Sequence, residues 1–159
     1  MAVVSESKDD IIKRLVAKQF QNNVRATEAL AEAQRQERDA AQLKAKAAKD
    51  WDGAKTRIMS EVAATNTSLK PINGELKFDK TNRAAEGVLL TQKLWVGAFC
   101  DVLSPKYAAV FEVRLNGKTT VWIGDGGEHA LQKFVYDTEA IMADQANEVI
   151  TSLLKFAER

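Results

Sequence analysis

The chain has 159 residues, of which 45 % are hydrophobic and 28 % are charged, and its formal net charge is +1 at pH 7. This balance does not provide the concentrated basic surface that neutralising many nucleic-acid phosphates requires. A single cysteine, Cys100, and a single histidine, His129, exclude an intrachain disulfide, a cysteine-based zinc site and a metal centre with several histidine ligands. No stretch is apolar enough for a membrane span and no signal peptide is recognisable, so we expect a soluble, cytoplasmic protein with no membrane partner.

The first half of the chain predicts a long helix. Its first 52 residues contain neither glycine nor proline, and they are rich in Ala, Lys, Glu, Gln, Arg and Leu, which favour helices. A helix over 9–64 would be about 84 Å long. Along it runs a row of positions at heptad spacing, here called the seam, in which Gln19, Asn23, Glu37 and Lys44 interrupt mostly small or apolar residues. The other seam positions are Ile12, Val16, Ala26, Leu30, Ala33, Ala40, Ala47, Trp51, Ala54 and Ile58.

A helix of this length cannot be buried against the remaining residues, so it must pack against another helix. Two arrangements are open: a hairpin that bends at 21–23 or 50–53, or a coiled coil between two copies of the chain. We therefore divide the chain into a helical, coiled-coil-like segment over 1–64 and an α+β globular part over 65–159, although a single compact unit is possible.

The region after this helix begins with polar and turn-forming residues over 65–74. "ELKF" at 75–78 alternates in polarity, which indicates a short strand. Over 81–103, helical spacing places Val88, Leu89, Trp95 and Phe99 on one face, and strict alternation is missing. A helix is therefore preferred to a pair of strands, although Gly87 and Gly97 oppose it.

A β-hairpin is the firmest prediction for the second half of the chain. "YAAVFEVRL" and "TTVWIG" flank Asn116-Gly117, the dipeptide best suited to a type I′ turn, and together they span 107–124. Alternation places Phe111 and Val113 on a buried face. It also places Trp122 on the opposite side of its strand from Val121 and Ile123. The opposite face is expected to be at least partly in contact with water.

The last element is predicted to be an amphipathic helix over 128–157. Large residues recur along it at near-heptad spacing, among them Leu131, Phe134, Ile141, Val149 and Leu153. Asp125 and Glu128 have the spacing of a capping box at its start. The predicted class is α+β: a long N-terminal helix that is continuous or a hairpin, a small antiparallel sheet with a hairpin at 107–124, and a C-terminal amphipathic helix.

The glycine-rich turn "GDGGEH" at 124–129 is the obvious place to look for a phosphate or catalytic site. Its spacing matches neither a P-loop nor a dinucleotide-binding motif, and Asp125 and Glu128 would repel an anion. Asp125 and His129 remain weak candidates for a pocket. Cys100 lies in an apolar context and is expected to be a buried structural thiol rather than the partner of His129 in catalysis. We predict no catalytic residues, no cofactor and no metal site.

These observations favour a protein–protein interaction or assembly module, such as an adaptor or small chaperone, over an enzyme. We expect it to form a homo-oligomer, most simply a homodimer, through the N-terminal helix, or to bind another protein. Trp51, Phe20 and Ile58 are the candidate interaction residues, since a tryptophan in a thin alanine-rich helix would lack an intramolecular core.

Two alternatives remain open. Basic residues recur along the first helix, among them Lys13, Arg14, Lys18 and Arg25, so binding to nucleic acid is possible but not favoured. The other alternative is a small-molecule binder or enzyme with a pocket near Asp125 and His129.

Overall fold

The structure is a computed structural model that describes residues 7–81, 85–97, 100–126 and 130–159. It consists of a long helix, five strands and a C-terminal helix, with a 3-10 turn after the first helix and another after the last strand. In chain order these are α1 (Lys8–Leu69), the turn Lys70–Ile72, β1 (Leu76–Thr81), β2 (Val88–Val96), β3 (Ala108–Arg114), β4 (Lys118–Gly124), β5 (Ala130–Asp137), the turn Thr138–Ala140 and α2 (Ala143–Ala157). The predicted α+β class is confirmed.

The chain divides into two compact units, Met1–Gln42 and Leu43–Arg159. In the first unit, residues 8–42 are helical and every described residue is exposed. The second unit contains the sheet, α2, and residues 43–69 of α1. Residues 43–64, which the sequence grouped with the helical segment, therefore belong to the unit that contains the sheet.

Helix α1 has no break at either of the two positions where the sequence allowed one. It begins where Ser7 Oγ accepts a hydrogen bond from the amide of Asp10 at 3.2 Å, an N-cap arrangement. Within 21–23, Asn23 is held by a 3.1 Å hydrogen bond from the Gln19 side-chain amide. Gly53 costs only about 1 kcal/mol relative to alanine in a helix, which burial of the neighbouring Trp51 outweighs.

The five strands form one antiparallel sheet in the order β1-β2-β3-β4-β5, so each strand pairs with its neighbour in the chain. Strand alternation and register give the sheet two different faces. The core face packs with the buried residues of α1 and α2, and its main members are Leu76, Leu94, Val96, Ala109, Phe111, Val113, Val121 and Ile123. The opposite face, here called the open face, includes Lys77, Asp79, Thr91, Lys93, Trp95, Val110, Glu112, Thr120, Trp122, Lys133 and Val135.

The helix predicted over 81–103 is wrong, because the described part of this segment contains β2. Leu94 and Val96 are buried on the core face, while Trp95 between them is half-buried on the open face. Apolar residues on both faces, together with a register irregularity between Val88 and Leu90, removed the alternation that identifies a strand. Gly87, with a φ of +75°, has a backbone conformation incompatible with an α-helix.

The helix predicted over 128–157 is wrong in its first half. Residues Ala130–Asp137 form β5, and α2 begins only at Ala143. The spacing of Leu131, Phe134 and Val135 fits either element, but pairing with β4 turns Phe134 and Tyr136 toward the core face. The chain then turns at Thr138, whose buried hydroxyl is hydrogen-bonded to that of Thr119 at 2.8 Å.

The predicted hairpin is confirmed by β3 and β4, and Phe111, Val113, Val121 and Ile123 are buried as expected. Its turn differs from the predicted type I′, which needs a positive φ at both central residues. Gly117 has a φ of +84°, but Asn73 is the one described non-glycine residue with a positive φ, so Asn116 does not meet this requirement. Residues 115–117 form a three-residue loop, in which Asn116 Oδ1 accepts a hydrogen bond from the Lys118 amide at 3.0 Å.

The strand predicted at 75–78 is also confirmed, as β1. It is tied to the end of α1 by Asn66, whose side-chain amide donates to Leu76 O at 2.9 Å and whose oxygen accepts from Leu76 N at 2.7 Å. This pair of bonds places the first strand against the helix that precedes it.

Candidate functional site

The glycine-rich turn connects two strands rather than a strand and a helix. It lies between the end of β4 at Gly124 and the start of β5 at Ala130. The helix that the predicted capping box would begin is not formed, because Ala130–Asp137 are strand β5 and α2 begins at Ala143. Asp125 is exposed, while Glu128 and His129 lie outside the described residues.

Cys100 is confirmed as a buried thiol, with 5 % of its surface exposed. Its suggested pairing with His129 falls outside the part of the chain that the structure describes. Across residues 7–81, 85–97, 100–126 and 130–159, no group of three or more His, Cys, Asp or Glu side chains is arranged to hold a metal ion.

Trp51 lies in the core of its own chain. Its ring centroid is 6.2 Å from that of Phe78 and 6.0 Å from that of Phe111, and its Nε1 donates to Gln92 Oε1 at 2.7 Å. Ile58 is fully buried in the same core. Contrary to the prediction, Trp51 has a core within its own chain, and neither Trp51 nor Ile58 offers a free surface to a partner.

The C-terminal end of the predicted seam is the buried face of α1. The residues of α1 that are buried are Ala47, Trp51, Ala54, Ile58 and Val62. Heptad spacing therefore identified most of the residues that pack, while their packing neighbours are sheet residues and α2 rather than the helix that the spacing suggested.

The N-terminal end of the seam lies within residues 8–42, where it is exposed. We call this surface the exposed stripe, and it is defined by Ile12, Leu15, Val16, Phe20 and Leu30. Ile12 is 45 % exposed, Val16 63 %, Phe20 68 % and Leu30 61 %. A shallow groove runs along the helix here, lined by Ile12, Leu15, Val16, Lys18, Gln19 and Asn22. The stripe includes Phe20, the one predicted interaction residue that the structure leaves at the surface.

Two ion pairs join polar residues one turn apart within α1. Glu32 is paired with Arg35, and Lys46 Nζ lies 2.8 Å from Asp50 Oδ2. The hydrogen bond to Asp50 raises the pKa of Lys46 above its ordinary value, and the charges of Asp50 and Glu139 act in the same direction. These exposed pairs stabilise the helix modestly and have no arrangement suited to catalysis.

One tyrosine has a perturbed pKa. Burial raises the pKa of Tyr136 well above its ordinary value, and the hydrogen bond that its hydroxyl donates to Glu148 at 2.8 Å raises it further. The pair joins β5 to α2 at the protein surface. A phenol held in its neutral form by a neighbouring carboxylate is a structural link rather than a nucleophile or a base.

The structure places two tryptophans, Trp95 and Trp122, on the open face. Strand alternation in the sequence placed Trp122 on the opposite side of β4 from Val121 and Ile123, whereas Trp95 was missed because its segment was assigned to a helix.

Comparisons with known protein families, with curated proteins and with solved structures found no match to the chain. Among the described helices, none combines the length and the apolar character needed to cross a membrane.

Proposed function

We propose that this protein is a non-enzymatic assembly module that forms a homodimer through residues 8–42 of α1. The observation that supports the proposal is the exposed stripe, a row of large apolar side chains on a helix that has no buried residue before Ala47. Full burial of a side chain such as Leu30 contributes about 1.5–3 kcal/mol, so covering several of them would provide a substantial driving force.

The spacing of the stripe suits a second copy of the same helix. Ile12, Val16 and Leu30 occupy seam positions, and small residues at Ala26 and Ala33 allow two helices to approach closely. Two-helix packing at heptad positions buries such a row continuously, which a helix alone cannot do.

The polar seam residues add specificity to this arrangement. Gln19 and Asn23 lie one turn apart and are hydrogen-bonded to each other within the helix. In a coiled coil, a polar residue at such a position fixes the register and the number of helices at some cost in stability. The proposed dimer is therefore moderate in affinity, and it depends on the apolar positions that flank Gln19 and Asn23.

The test is the oligomeric state of the full chain, measured by sedimentation equilibrium. We expect a dimer that the double substitution Val16→Lys/Leu30→Lys converts to a monomer, because charges at seam positions cannot be buried. Lysine favours helix at least as well as valine, so loss of the dimer would not reflect a loss of helix propensity.

The matched control is Gln21→Lys/Gln42→Lys, which adds the same charge at two positions farthest from the seam. It should remain a dimer, and circular dichroism should show comparable helix content in both variants. A wild-type chain that is monomeric over a wide range of concentration would refute the proposal, as would dissociation of the control to the same extent.

A further inference from the structure

The open face carries two tryptophans on strands that flank β3. Trp95 on β2 pairs with Ala108, and Trp122 on β4 pairs with Val110. At about 4.8 Å between strands and about 3.3 Å per residue, their Cα atoms lie about 12 Å apart. Both rings are half-buried, and Trp95 is oriented by a 2.8 Å hydrogen bond from its Nε1 to Asp79.

Three lysines surround these rings. Lys93 Nζ lies 5.1 Å from the ring centroid of Trp95 and Lys77 Nζ lies 5.9 Å from it, while Lys133 Nζ lies 5.9 Å from the ring centroid of Trp122. None of the three forms a salt bridge with a described carboxylate. The ammonium groups are therefore available to an anionic partner.

The acidic groups of the open face are already engaged. Asp79 accepts the hydrogen bond from Trp95, and Glu112 is ion-paired with Arg114 although that pair does not have hydrogen-bond geometry. Asp137 is paired with Lys118 at 2.7 Å. Glu112 and Asp137 are thus neutralised by cations, whereas Asp79 keeps its negative charge because the indole that it accepts from is neutral. Against this one carboxylate stand the three ammonium groups of Lys77, Lys93 and Lys133, so the surface around the two rings carries an excess of positive charge.

Among the described residues of the second unit, the helices pack on the core face and not on the open face. The buried residues of α1 and α2 cluster with core-face residues such as Phe111 and Val121. On the open face only Thr91 and Thr120 are buried among the residues that define it, and Lys77, Lys133 and Val135 are exposed. The open face thus presents two half-buried aromatic rings and nearby cations that form no salt bridge.

We propose that the open face binds a single-stranded polynucleotide, with bases stacked on Trp95 and Trp122 and phosphates placed against Lys77, Lys93 and Lys133. Aromatic side chains on a sheet and neighbouring cations are the two components of sequence-tolerant single-strand binding. A duplex cannot supply this contact, because its bases are already stacked and paired. This site is separate from the exposed stripe of α1 and does not depend on dimerisation.

The lysines that lie over the rings do not prevent stacking. An exposed cation–π contact contributes only about 0.5–1 kcal/mol, whereas stacking of one base contributes about 1–3 kcal/mol. Since a lysine side chain is flexible, its ammonium can move off the ring and form an ion pair with a phosphate. Neither stacking nor these phosphate contacts involves the sugar, so RNA and DNA single strands should bind comparably.

The experiment is fluorescence anisotropy of the full chain with labelled oligo(dT) and oligo(rU) of about 12 nucleotides, a length in the range of single-strand sites on small β folds. We expect both strands to bind at low salt, more tightly than a duplex of equal length, and to quench tryptophan fluorescence. Affinity should fall as salt is raised, because phosphate contacts release counterions.

Matched variants then locate the site. Lys93→Glu/Lys133→Glu should weaken binding at least about tenfold, as expected when two phosphate contacts become repulsive. Lys49→Glu/Lys155→Glu changes two exposed helical lysines by the same charge and should bind nearly as well as wild type. Trp122→Thr should weaken binding roughly 5- to 150-fold, the equivalent of about 1–3 kcal/mol per stacked base, while Trp122→Phe should retain most of it.

Several results would overturn the proposal: no binding of single strands at low salt, equal affinity for the duplex, or equal loss in the two lysine double variants. Loss of binding in Lys13→Glu/Lys18→Glu with retention in Lys93→Glu/Lys133→Glu would assign binding to α1 instead and would also overturn it. Circular dichroism checks that each variant is folded, and the lysine variants decide the matter if Trp122→Thr does not fold.

Discussion

At the scale of single residues, the most informative side chain is Trp51. It supplies a large apolar surface to a face of α1 that otherwise contains small or aliphatic residues, and its one polar group is satisfied by Gln92. Gln92 is itself only 1 % exposed. A buried glutamine on a strand is costly unless it is hydrogen-bonded, so the burial of each of these two residues depends on the other.

We predict strong coupling between Trp51 and Gln92 in stability. Trp51→Phe and Gln92→Leu should each destabilise the chain, since each leaves a buried polar group without a partner at a cost of about 1–3 kcal/mol in addition to packing changes. The double variant should be destabilised by less than the sum of the two. Urea unfolding followed by circular dichroism measures all three free energies.

The exposed bond between Trp95 and Asp79 provides the control for this cycle. Water can replace it, so Trp95→Phe and Asp79→Leu should show a smaller coupling than the buried pair. Simple additivity of Trp51→Phe and Gln92→Leu would contradict the assignment of this hydrogen bond as a stabilising contact.

Among the helices and strands, the sequence was informative where residue composition or a single periodicity dominated. The absence of glycine and proline predicted α1, and alternation around Asn116-Gly117 predicted β3 and β4. It misled in β2, which has apolar residues on both faces, and in β5, whose few apolar residues also fit helical spacing. Both errors arise because a short apolar pattern is compatible with two periods until its neighbours are known.

The β3–β4 turn depends on the backbone conformation of one glycine. Gly117 has a φ of +84°, and a Cβ added there would meet no atom within 4 Å, so the cost of substitution is conformational rather than steric. We predict that Gly117→Ala destabilises the protein by about 1–2 kcal/mol, as expected for a left-handed residue that gains a Cβ. Thermal unfolding measures the change.

Gly117→Asn is the matched comparison, since asparagine tolerates the left-handed region better than alanine does. It should be less destabilising than Gly117→Ala. Equal stability of wild type and Gly117→Ala would show that the loop can adopt another turn at no cost.

At the scale of the whole molecule, all buried apolar residues of the described chain lie at Ala47 or beyond. Residues 8–42 thus contribute no side chain to the core of the second unit, whose compact part begins at Leu43. Stability of the sheet and association through the exposed stripe should therefore be separable properties of one chain.

We predict that a fragment comprising residues 43–159 folds by itself. It should keep the near-ultraviolet circular dichroism and the cooperative thermal unfolding of the full chain, while its helical signal decreases because 8–42 are absent. Because the fragment lacks the exposed stripe through which the dimer is proposed to form, it should be a monomer. A fragment with far-ultraviolet signal but no cooperative unfolding would show that the second unit requires the N-terminal helix.

The α+β class, the long N-terminal helix, the hairpin at 107–124 and the buried state of Cys100 could be predicted from the residues alone, because each follows from local propensity or from one clear periodicity. What each apolar row packs against became clear only in the folded chain. The tertiary structure assigned Ala47, Trp51, Ala54 and Ile58 to the sheet core, left Ile12, Val16 and Phe20 exposed, and placed Trp95 and Trp122 on one face. The physical reason is that the burial of an apolar row requires a second surface, and the identity of that surface is set by contacts between residues far apart in the chain.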